Sequence, residues 1–275
     1  MLEIACDESG YEGEKLIDTT TDVFAHAGVH LDPAAAEACM AQLRVRIRSP
    51  ATEYKANHLL RAKHRAVLVW LLSPASPLYG AGHVFLIDKA YFVVQKLTEV
   101  LGSPPPVVDH DFLAAANNLM RVKTIGSPVD EFFALPQAAS LAPARPRAEA
   151  FRAWLLGQPR STSVLDPLIP SLVRAVAYWG ADEPVAIVHD RQKTLPAERI
   201  AQLGPATTAR LAGVRMASSA LDARIQLADI LAGAARKIAS DELNGHGDQE
   251  LTALLRPYVD AESIWGDKRS WLELS

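Results

Sequence analysis

The 275 residues contain only two cysteines, Cys6 and Cys39. Two thiols cannot build a disulfide scaffold, so stability must come from a packed core in a reduced protein. No apolar run approaches the ~20 residues that a bilayer-spanning helix needs, and the longest, Ala66 to Leu72, suits a core helix. The opening stretch, Met1 to Asp7, lacks the charged, apolar and small-residue regions of a secretory signal. A cytoplasmic location with no membrane partner is the expectation. Neither sign of charge dominates, with 28 Lys+Arg against 32 Asp+Glu. That balance excludes a uniformly basic nucleic-acid coat but permits a local basic groove. There is no Gly-rich P-loop and no dinucleotide fingerprint. His26 and His30 share a face if extended, but no further soft or imidazole ligands stand at zinc spacing.

What is present is apolar content, at 49% of the chain, and enough length to bury about 75% of the unfolded surface. One large domain with an insertion is the expectation, spanning 1–275. The charges are unevenly placed. Arg44, Arg46, Arg48, Lys55, Arg61, Lys63 and Arg65 stand against Glu53 alone, whereas the tail from Asp241 is acidic. The basic segment either tracks a phosphate backbone, with Tyr54 and Trp70 for stacking, or forms an ordinary solvated face.

Strand-like segments are predicted at Leu2–Cys6, Val23–Leu31, His83–Asp88, Val185–His189 and Val214–Ala217. Helices are predicted at 34–48, 53–72, 90–101, 109–121, 168–179, 196–202 and 223–240, with Asp32-Pro33 opening the first. The prolines between Ile125 and Arg160 mark a region of different character. A mainly helical insertion or lid is therefore expected over 103–180.

Two predicted strands end in aspartate, at Asp7 and Asp190, where ligands bind at the carboxyl edge of open α/β sheets. A third acid, Asp229, interrupts an otherwise apolar helical stretch and needs a partner, water or a metal. Convergence of these three would raise at least one carboxyl pKa unless a cation neutralised them. Hard carboxylate oxygens suit Mg²⁺ or Mn²⁺, and a pair of such ions about 4 Å apart supports phosphodiester hydrolysis. Turn formation and a wet helix face would explain the same aspartates without chemistry.

Taken in order, Asp7-Glu8-Ser9-Gly10, Glu53-Tyr54-Lys55, Asp88-Lys89, Asp190 and Ile225-Gln226-Leu227-Ala228-Asp229-Ile230-Leu231-Ala232-Gly233 resemble the family called domain of unknown function 3800 over nearly the whole chain. The resemblance implies a ribonuclease H-like α/β fold, a mixed sheet flanked by helices. It also implies a metal-dependent nuclease whose two Mg²⁺ or Mn²⁺ ions are held by Asp7, Glu53, Asp190 and Asp229. A non-catalytic module of the same fold, binding nucleic acid or a protein, is the alternative.

Lys55 is expected to contact substrate or stabilise charge, with Arg61 and Gln226 as further substrate contacts. Glu53 and Lys55 can point together only if their segment is extended, because in a helix they diverge by about 200°. Gln226 and Asp229 share one helical face. Ser9 reads as a turn-shaping residue, Asp222 as an added ligand or a helix cap, and Gly233 as a site of close packing. Phe132-Phe133 and Trp265 to Trp271 are candidate surfaces for a homo-oligomer.

Overall fold

The structure, a computed structural model, describes residues 2–48, 54–159, 162–190, 197–200 and 203–275. Five strands, β1 (Leu2–Ser9), β2 (Val23–Val29), β3 (Gly82–Asp88), β4 (Val185–Asp190) and β5 (Leu211–Ala217), form one sheet in the order β3-β2-β1-β4-β5. β2 runs antiparallel to β1, whereas β4 lies parallel to β1 and β5 parallel to β4. The fold class is α/β, a mixed sheet flanked by helices. β1 to β4 are buried on both faces over most of their length, which is why they read as continuous apolar runs rather than alternating ones, whereas β5 at the edge is partly exposed.

The helices are α1 (Pro33–Ile47), α2 (Ala56–Leu59), α3 (Arg65–Leu72), α4 (Lys89–Leu101), α5 (His110–Met120), α6 (Pro128–Phe133), α7 (Arg145–Leu156), α8 (Leu168–Trp179), α9 (Ala197–Ile200), α10 (Pro205–Thr208), α11 (Ala223–Leu243), α12 (Gln249–Leu255) and α13 (Lys268–Leu274). Asp32 opens α1 as predicted, its carboxylate accepting from Ala34 N at 2.9 Å with Pro33 in the first turn. The single helix expected over 53–72 is instead broken into α2, a 3₁₀ turn at Ala62–His64, and α3. Two tail helices, α12 and α13, went unpredicted. The acids just before them, Asp248 and Asp267, are their N-caps.

The chain divides into two compact units. The first comprises Met1–Tyr11, Val23–Leu86 and Leu168–Ser275, and holds almost all of the sheet. Its core lies between the sheet and the buried face of α11, with Val23, Ala25, Ala27 and Val29 packed among Leu227, Ile230, Leu231 and Ala234. α8 belongs to this unit.

The second unit comprises Glu12–Asp22 and Ile87–Pro167. The Asp88-Lys89 pair serves structure there. Asp88 caps α4 by accepting from Tyr91 N at 3.1 Å, and the buried Lys89 Nζ donates to Thr21 Oγ1 at 2.7 Å. Asn117 fastens the same segment, donating to Glu14 O and accepting from Leu16 N at 3.1 Å. Phe132 is fully buried 5.1 Å from Phe112, and in the first unit Trp265 and Trp271 pack against the core. Phe132 is thus a core residue, whereas Phe133, Trp265 and Trp271 are half-buried.

Candidate functional site

β1 extends through Ser9, three residues beyond the predicted end, so Asp7 stands within the strand and not in its turn. Side chains alternate along a strand. Ala5, Asp7 and Ser9 therefore face α11, as the packing of Ala5 on Ile225 and the contact of Ser9 with Arg236 show. The parallel register aligns Cys6 with His189, and its next step brings Asp190 beside Asp7 on the same face. Asp229 projects from α11 toward this edge, its side chain 18% exposed.

The electrostatics report the convergence. Asp7 is buried, and its carboxyl is pushed up to about 9. Burial is the largest cause, followed by the charges of Glu8, Asp229 and Asp190, against which a hydrogen bond from Glu8 N at 2.8 Å acts in the opposite direction. The three aspartates singled out in the sequence are thus brought within electrostatic reach of one another.

Lys55 supplies positive charge. Its Nζ lies 3.6 Å from Asp229 Oδ2. Tyr54 and Lys55 are non-helical, and Lys55 has extended backbone (φ −100°, ψ 156°) just before α2. This is the geometry in which a Glu-x-Lys pair can turn both side chains to one side, although Glu53 itself lies outside the described residues. Close approach of α2 to α11 depends on Gly233, because a Cβ there would overlap the Ala56 Cβ and stand 3.8 Å from Ser9 Oγ.

Other residues hold this frame. Asp190 Oδ1 accepts from Ser219 N at 3.1 Å, and Gln226 Nε2 donates to Ser219 O at 2.7 Å. One residue thereby ties β4 to α11. Arg236, two turns beyond Asp229, donates from Nε to Ser9 Oγ at 3.0 Å. Sequence reasoning missed Arg236, although its seven-residue spacing from Asp229 places it on the same helical face. It had no signal for Ser219, a loop residue. Asp222 is the N-cap of α11 and an ion partner of Arg224, so it is a structural acid and not an added ligand.

The opposite sheet face carries Ile4, Cys6 and Glu8. Glu8 is turned away from Asp7, and its Oε2 lies 3.5 Å from His189 Nε2. Burial keeps His189 below the ordinary histidine range, and its ring stacks on His26 at 5.4 Å.

Arg61 is exposed at the start of the 3₁₀ turn. The basic segment is only partly available. Arg65 is bound by Asp248 and Glu250, and Arg46 covers Trp70 at 4.2 Å. Tyr54 is 1% exposed, so the stacking role expected for it is incompatible with its place in the core.

Carboxylate oxygens are the donors that Mg²⁺ or Mn²⁺ prefer, and the charges of Asp229 and Asp190 add to burial in raising the Asp7 carboxyl. In donor chemistry and charge the residues fit a divalent ion. Among the described residues, no three His, Cys, Asp or Glu side chains are grouped closely enough to hold one. No protein-family model, curated protein or solved structure matches the chain.

Proposed function

We propose that the protein is a ribonuclease H-like, metal-dependent nuclease that hydrolyses nucleic-acid phosphodiesters. The observation that carries this reading is the gathering of Asp7, Asp190 and Asp229 at one sheet edge with Asp7 raised to about 9. The strand order β3-β2-β1-β4-β5, with one antiparallel neighbour and one parallel neighbour beside β1, supports the fold assignment.

Asp7, Asp190 and Asp229, with Glu53, would hold two Mg²⁺ or Mn²⁺ ions, which when bound supply an activated water and charge stabilisation at the leaving oxygen. The residues themselves do the rest. Asp190 is oriented by Ser219 N, so its carboxylate enters the site with one oxygen already committed. Lys55 offsets the charge of Asp229 in the absence of substrate, and its half-exposed ammonium would meet an entering phosphate. Nucleic acid, DNA or RNA, is the substrate class.

A panel of single- and double-stranded fluorescent oligonucleotides, incubated with Mn²⁺ or Mg²⁺, tests the proposal. Metal-dependent cleavage by the wild type that Asp190→Asn abolishes supports it. Binding of an oligonucleotide that persists in EDTA and survives Asp7→Asn, without turnover, would favour the non-catalytic module.

A further inference from the structure

A cavity of about 300 Å³ opens one helical turn before Asp229, between α1 and the start of α11. Glu37, Met40 and Arg44 line it from α1, and Leu221 and Gln226 from the β5–α11 side. The volume sits at the lower end of the range for small-molecule sites, about the size of one nucleotide unit.

The lining specifies what would fit. Gln226 is 7% exposed, and its Nε2 is committed to Ser219 O. Its Oε1 is buried with no hydrogen-bond partner among the described residues. A buried acceptor left unmatched is unfavourable, so the wall asks for an N–H donor. Arg44 is exposed and has no carboxylate partner among the described residues. Its planar fork suits a phosphate. Met40 is buried and Leu221 is 87% exposed at the rim, giving apolar contact on two sides. A donor edge, an anion and a flat apolar body together describe a nucleotide whose base carries an exocyclic amino group.

We infer that this cavity binds one amino-bearing nucleotide unit, such as adenylate or cytidylate, as the flanking position of a nucleic-acid strand. The inference rests on the nuclease reading for the strand, but not for the pocket itself. Gln226 and Asp190 both bond the backbone of Ser219, so a base seated on Gln226 also fixes the loop that orients Asp190. Arg44 and Gln226 act as binding residues and touch no reacting atom.

The test is calorimetric titration of the full chain, with EDTA present, using AMP, CMP, adenosine and purine riboside 5′-monophosphate. AMP or CMP should bind. Loss of the amino group should weaken AMP binding about tenfold, the order of one hydrogen bond. Gln226→Met should weaken AMP to the level of the purine riboside, while Arg44→Ala should weaken AMP about tenfold and leave adenosine unchanged. Thermal melts check that both variants fold. Failure of both AMP and CMP to bind at 10 mM (~ the weak end of specific affinity), or equal binding by wild type and both folded variants, overturns the inference. Metal-dependent cleavage without nucleotide binding would sink the pocket alone. Nucleotide binding without cleavage of any strand would sink the nuclease reading and leave the pocket standing.

Discussion

Lys55 Nζ stands 3.6 Å from Asp229 Oδ2, joining the extended segment before α2 to the helix that carries the third acid of the site. The contact is half exposed, so its contribution to stability is small. Its consequence is electrostatic, since on the proposed nuclease reading it places a cation where a phosphate would enter. Lys55→Met should leave the melting temperature nearly unchanged. In equilibrium titrations it should weaken oligonucleotide binding about tenfold at low salt and reduce the salt dependence by about one ion. Unchanged affinity and salt slope would remove Lys55 from the substrate path.

Asp7 resists ionisation in the folded protein. Its carboxyl is raised from 3.8 to about 9. A raised folded-state value contributes stability that is complete below the unfolded value and lost as pH rises toward the folded one. In divalent-free buffer, wild-type stability should therefore fall from pH 5 to pH 9, at up to about 1.4 kcal/mol per pH unit for this one group. Asp7→Asn should flatten that slope and be more stable at pH 8 by an amount on the order of 1–3 kcal/mol. Denaturant unfolding across this pH range checks it. A less stable Asn variant would make Asp7 a structural acid.

Gly233 reverses a familiar rule. Glycine to alanine within a helix normally stabilises by about 1 kcal/mol. Here the added methyl would overlap the Ala56 Cβ and push α2 away from α11. Gly233→Ala should lower stability by about 1–3 kcal/mol and disturb the Lys55–Asp229 pair. Chemical denaturation gives the sign directly.

Asp260 behaves oppositely to Asp7. Burial favours its neutral form, but hydrogen bonds from His83 at 2.6 Å and Arg174 at 2.7 Å outweigh it and hold the carboxyl near about 2. A depressed value contributes stability present above the unfolded pKa and lost as pH falls through the folded one. The acid unfolding limb between about pH 4 and about pH 2 should therefore be steep in the wild type and shallower in Asp260→Asn. The variant should also be less stable at neutral pH.

The strands were legible because β-rich apolar runs bounded by turn residues have few alternatives, and α8 and the start of α11 lie where their periodicity and caps place them. The face shared by Asp7, Asp190 and Asp229 was also legible, since strand alternation and helical spacing are fixed by geometry. Three things were not. Local composition could not reveal that the helix after Tyr54 breaks twice, because the bends answer to packing against α11 at Gly233. Nor could it show that tail acids serve as caps at Asp248 and Asp267, or as a buried partner for Arg174 at Asp260. Long-range hydrogen bonds such as Arg236 to Ser9 leave no mark in a sequence window.

The central claim is that Asp7 and Asp229 belong to one divalent-cation site. Calorimetric titration of Mn²⁺ into the wild type, Asp7→Asn and Asp229→Asn, each with and without a non-hydrolysable phosphorothioate oligonucleotide, tests it most directly. Mn²⁺ binding that the oligonucleotide strengthens and that both substitutions weaken, in folded proteins, is the result predicted. No Mn²⁺ binding by the wild type even with the oligonucleotide present, or binding that neither substitution alters, would contradict it.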